Sequence, residues 1–147
     1  MENIEDFLTS EQEQAVVQAI RTAEKNTSGE IRVHLEKDTS TDTLQRAVEV
    51  FHILEMDQTT QRNGVLFYVA VMGKKFAIYG DEGINAVVPA DFWEETKKIM
   101  QEYFVQNNFS QGLIEGILKA GEQLKHYFPY SKTDTNELSD EISKGTI

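Results

Sequence analysis

The run "VLFYVAV", Val65 to Val71, has no polar residue at any position, and it lies between "RNG" and "MGKK". A strand with one wet face alternates, so a strand apolar throughout is one covered on both sides. The run is far shorter than the roughly 18 apolar residues of a membrane span. It therefore requires a layered fold, with elements packed above and below a central strand. Gly73 in "MGKK" reads as a tight turn, and "FAIYG" as the strand that returns beside the first in a hairpin.

The preceding segment supplies the partners. Ser10 and Glu13 have capping-box spacing, and Val16, Ile20 and Ala23 follow on one helical face. "EIRVHLE" alternates, with Ile31, Val33 and Leu35 on one side and Arg32, His34 and Glu36 on the other, as in a half-buried strand. Leu44, Ala47, Val48, Phe51 and Leu54 make a stripe on a second helix over about residues 43–55. Downstream, Pro89 and the Asp91…Glu94 pair open a third helix, on which Trp93 and Phe92 read as core. Ser110 is placed to cap a fourth. There Gly112, Gly116 and Gly121 weaken the helix, and their spacing points to close approach by a neighbouring element.

The order is helix–strand–helix–strand–strand–helix–helix. Two strands joined through a helix run parallel in a right-handed crossover. The expected fold is a three-layer α/β/α sandwich around a small mixed sheet, over residues 1–129. Residues 130–147, polar and without period, are expected to form a mobile tail, in which "NELSDEIS" is a candidate docking motif.

Composition sets the outer limits. With 25 acidic and 14 basic residues the net charge is −11, which repels nucleic acid and anionic membrane and tolerates a divalent cation. The absence of cysteine rules out disulfides, zinc–thiolate sites and thiol catalysis. The acidic start "MENIEDFLTSEQEQ" lacks an apolar segment of signal type, so a cytoplasmic, monomeric protein is expected.

Strand polarity then sends distant residues to one rim. The first strand begins at Glu30, the second, parallel to it, after Asn63, and the third, antiparallel, ends at Gly80, Asp81 and Glu82. Hard oxygen donors of this kind suit Ca²⁺, with Mg²⁺ as the other candidate. Glu30, Asp81 and Glu82 are the expected ligands, with Asn63 and Asp57 as lesser ones; Gly29, Gly64, Gly80 and Gly83 would let backbone approach an ion. Asp81 reads equally well as the cap of a short helix through "EGINAVV". His34, His52 and His126 have no serine or acid at motif spacing, and His34 is expected to be packed or hydrogen-bonded.

"RNGVLFYVAVMGKKFAIYGDEGI", with "FW", "YFVQNNFSQGLIEGILKAGEQL" and "YFP" after it, resembles the TPM domain family over about residues 7–129. The resemblance implies an α/β/α sandwich, a divalent-cation site at the loop cluster, commonly calcium, and, from some plant members, acid phosphatase activity. Two functions follow as expectations: a cation-dependent binding or regulatory module with a protein partner, or a weak metal-assisted phosphohydrolase using Arg62 to neutralise phosphate. Catalytic residues are not identifiable from the sequence.

Overall fold

The computed structural model describes residues 7–130 and 137–145. Its elements are α1 (Ser10–Glu24), β1 (Glu30–Glu36), α2 (Thr43–Ile53), β2 (Gly64–Ala70), β3 (Lys75–Gly80), α3 (Glu82–Asn85), α4 (Glu94–Phe104), α5 (Phe109–Leu124) and β4 (Ser143–Lys144). The sheet order is β3-β2-β1-β4. β1 is parallel to both β2 and β4, whereas β3 runs antiparallel to β2.

Every residue of β2 is buried, as its apolar sequence requires. On one face Val65, Phe67 and Val69 join a core that includes Ile20, Met100 and Ile117 from α1, α4 and α5. On the other, Leu66, Tyr68 and Ala70 meet Ala47, Val50 and Phe51 of α2. The result is the expected α/β/α layering on a small mixed sheet.

Local details differ from the sequence reading for identifiable reasons. The capping box of α1 lies one residue earlier than Ser10–Glu13. Thr9 Oγ1 accepts from the Gln12 amide at 3.1 Å, and Gln12 Oε1 accepts from the Thr9 amide at 2.9 Å. α5 starts at Phe109, after Asn108, so Ser110 lies inside the helix. In the hairpin the left-handed residue is Lys74, at φ 54°, and not Gly73. β1 is buried on both faces, because His34 and Glu36 lie beneath α2 and beside β4.

The glycines of α5 act as their spacing suggested. A β-carbon on Gly121 would stand 2.7 Å from Ala23 Cβ and 2.9 Å from Ala23 Cα, so this glycine lets α5 lie directly on α1. Gly121→Ala is expected to lower stability by about 1–2 kcal/mol, the overpacking penalty exceeding the gain in helix propensity. Urea unfolding checks it; an unchanged midpoint would mean the two helices slide apart without loss.

Residues 137–145, expected to belong to a mobile tail, lie along the domain instead. Leu138 packs on the α2-side core and Ile142 on the opposite one. Ser143 and Lys144 pair with His34 and Leu35, and the Gly145 amide donates to the Leu35 carbonyl at 2.9 Å. Two apolar anchors and a short ladder therefore cover an edge of β1 that would otherwise be open. The rest of that tail, residues 131–136 and 146–147, lies outside the described residues.

Candidate functional site at the sheet rim

Three loops meet at the rim where β1 and β2 begin and β3 ends. The Glu30 amide donates to the Asn63 carbonyl at 3.2 Å, the Asp81 amide to Gly64 at 3.0 Å, and the Gly83 amide to Arg62 at 2.9 Å. Strand polarity alone leads to this convergence. The closest approach is at Gly83, where a β-carbon would stand 2.2 Å from the Gln61 carbonyl oxygen and 2.5 Å from that of Arg62.

Arg62 is held in the left-handed region, at φ 51°. From there its guanidinium takes both oxygens of Asp81, Nε to Oδ2 at 2.8 Å and Nη2 to Oδ1 at 3.0 Å. Its Nη1 donates to Glu82 Oε1 at 3.0 Å. Asp81 is only 2% exposed, and such a burial is tolerable because the fork-on-fork pairing and a further amide bond satisfy the carboxylate. That further bond comes from the Glu82 amide to Oδ1 at 2.7 Å, making Asp81 the N-cap of α3. Asp81 raises the Arg62 pKa above its ordinary value. Asp81 thus caps α3 and pairs with Arg62 through the same carboxylate.

The other expected ligands are engaged elsewhere. Glu30 Oε1 accepts the backbone amides of Glu137 and Leu138, the latter at 2.7 Å. Burial pushes the Glu30 carboxyl up to about 7, with those two amides opposing the shift. Asn63 is buried and its Nδ2 donates to the Ser28 carbonyl at 3.3 Å. Asp57 turns toward the end of α2, where Oδ2 is 3.6 Å from His52 Nδ1 and Oδ1 accepts from Gln58. Asp81 and Glu82 share one locus on Arg62; Glu30 and Asn63 are held by other partners, and Asp57 acts on Arg62 through its charge alone. Among the described residues no group of three or more histidine and carboxylate side chains is arranged to hold a metal ion.

Several residues were not singled out from sequence. Glu24 Oε2 accepts the Ile31 amide at 3.0 Å, and burial, then hydrogen bonding with Asp140, push its carboxyl up to about 9. Asp140 also lies 3.5 Å from Arg21 Nε. The available signal was the pair Leu138 and Ile142, two apolar residues one helical turn apart in an otherwise polar tail. His34 is fully buried, with Nδ1 2.8 Å from Ser143 Oγ and Nε2 3.3 Å from Glu36 Oε2, the latter without hydrogen-bond alignment. Burial lowers its pKa, so it is a neutral, packed residue, as expected. Its ring stacks on Tyr68 of β2, centroids 6.1 Å apart, and lies beside Ser143 of β4.

A three-layer α/β/α domain whose loops bring an arginine and two carboxylates to the sheet rim defines the class of this molecule. The family model described as the TPM domain matches residues 2–123. The chain belongs to the TPM domain family. It is similar, at 59% identity and TM-score 0.92, to the BA42 protein of the psychrophilic bacterium Bizionia argentinensis, the match covering 99% of this chain and 100% of that one. The N-terminal domain of a P. gingivalis protein shares the fold at 16% identity and TM-score 0.67, over 84% of this chain and 80% of that one. A Corynebacterium glutamicum N-terminal domain does so at 9% identity and TM-score 0.64, over 92% and 79%. No curated protein sequence matches the chain. Among the described residues no helix is long and apolar enough to cross a membrane.

Proposed function

We propose that this TPM domain is a divalent-cation-responsive binding module, in which Ca²⁺ enters between Asp81 and Glu82 in exchange for Arg62. The supporting observation is that two neighbouring carboxylates already converge on a single cationic group, at 2.8, 3.0 and 3.0 Å. The Arg62 side chain is 36% exposed and has room to leave, and Glu82 is exposed at 72%. Two carboxylates supply up to four oxygens, and Ca²⁺ completes its 6–8 with water. The bound ion would hold the β3–α3 corner closed and add positive charge where Arg62 now supplies it.

An exchange site with so few protein ligands binds weakly, with Kd of roughly 10⁻⁴–10⁻³ M. Isothermal titration with CaCl₂ is expected to give that range for the native chain. Arg62→Ala, which removes the competing cation, is expected to tighten binding by about tenfold, and Asp81→Asn to abolish it. Absence of heat in both the native chain and Arg62→Ala would overturn the reading. The phosphohydrolase alternative requires Arg62, once displaced, to neutralise a phosphoryl group beside the ion. No observation favours it.

A further inference from the structure

β3 is the outer strand of the sheet, and its far edge carries no partner strand among the described residues. The Asp81 amide points inward to Gly64, and antiparallel alternation then turns the backbone groups of Phe76 and Ile78 outward. Along this edge runs a groove of about 1000 Å³, between the start of α2 and the first turns of α4. Leu44 lines one wall at 49% exposure and Trp93 the other. Lys74, Lys75, Lys97 and Lys98 surround the groove, in a chain whose net charge is −11. Of its acidic lining residues, Glu94 is paired with Lys97 at 3.5 Å and Asp42 caps α2. Lys74 donates to Asn107 at 2.7 Å; Lys75 and Lys98 have no ion pair among the described residues.

We propose that the β3 edge is a docking groove for an extended acidic segment of another protein, which adds to the sheet as a fifth strand. The main chain of the partner would bond to the outward amides and carbonyls of Phe76 and Ile78. Its alternate side chains would fall to the two walls, apolar ones against Leu44 and Trp93 and acidic ones beside Lys75 and Lys98. The charge pattern selects this occupant over a second copy of the chain. Pairing two such edges would bring lysine clusters together, a familiar device against self-association. The proposal is independent of the cation site, because neither Asp81 nor Glu82 lines the groove.

The test is a selection from random twelve-residue peptides displayed on phage, using the full chain as bait and a Lys75→Glu/Lys98→Glu variant for counter-selection. Both substituted residues are exposed, so far-UV circular dichroism should be unchanged. Enriched peptides are expected to combine apolar and acidic residues and to bind the native chain at least about tenfold more tightly than the variant. In ¹⁵N-labelled protein they should shift and protect the amides of Phe76 and Ile78. Enrichment of peptides without acidic residues, equal binding to the variant, or shifts confined to other elements would overturn the proposal. So would sedimentation showing dimers with those two amides protected, which would assign the edge to a second copy.

Discussion

Gly83→Ala is expected to unfold this domain more readily than any other single-methyl addition at the rim. The added carbon would stand 2.2 Å from one carbonyl oxygen and 2.5 Å from a second, both belonging to backbone that leads into β2. No side chain can rotate away to make room, so the loop of residues 61–62 or the β3–α3 corner has to move. Either shift breaks the Gly83 amide bond to Arg62 and disturbs the Arg62 fork on Asp81. Overpacking of this kind costs about 3 kcal/mol. For a chain of this size that is roughly 10 °C in Tm, measurable by calorimetry. A native Tm in Gly83→Ala would mean that the rim loops are looser than their close contacts suggest.

The second large effect is a dependence on pH that runs opposite to ordinary acid denaturation. Glu30 and Glu24 are carboxyls held protonated by the fold, at about 7 and about 9. Burial is the foremost cause at both; at Glu24, hydrogen bonding and charge from Asp140 add to it. In the unfolded chain both release their protons near the ordinary value of 4.5. The native state therefore binds more protons between those limits, and stability falls as pH rises there. The contribution is full below about 4.5 and is lost through about 7 for Glu30 and about 9 for Glu24. The groups facing them are Arg21, Asp140 and Glu137, and the net charge of −11 acts in the same direction. Thermal unfolding is expected to give a higher Tm at pH 5.5 than at pH 8.5. Glu24→Gln, with an amide able to donate to Asp140, should flatten the profile and raise Tm at pH 8.5. A Tm that climbs from pH 5.5 to 8.5 in the native chain would show that both carboxyls ionise without penalty.

These two effects also mark what sequence reading reaches. The rim was legible because it needs only strand polarity. An all-apolar β2, a crossover helix and a short hairpin leave a single way to bring Glu30, Asn63 and Asp81 to one side of the sheet. Side-chain partners at that rim were not legible, because they depend on angles that hydrophobic period does not encode. The left-handed backbone of Arg62 aims its guanidinium at Asp81, and nothing in "RNG" indicates that direction. The partners of Glu30 were hidden for a different reason. The segment that covers it, residues 137–145, has only Leu138 and Ile142 as apolar anchors, and its remaining contacts are backbone and polar side-chain bonds that leave no hydrophobic pattern. A two-residue strand such as β4 has no period to detect. Glycine spacing in α5 was more informative, because a missing side chain on a helix facing another helix has a steric meaning wherever it occurs.

The functional reading rests on the Asp81–Glu82 pair being a place for positive charge that Arg62 fills by default. The most direct measurement is a crystal structure of Arg62→Ala grown in millimolar CaCl₂. One ion bound by the carboxylates of Asp81 and Glu82, with Asp81 still accepting the Glu82 amide, is the expected result. Carboxylates turned apart, with only water between them, would contradict it.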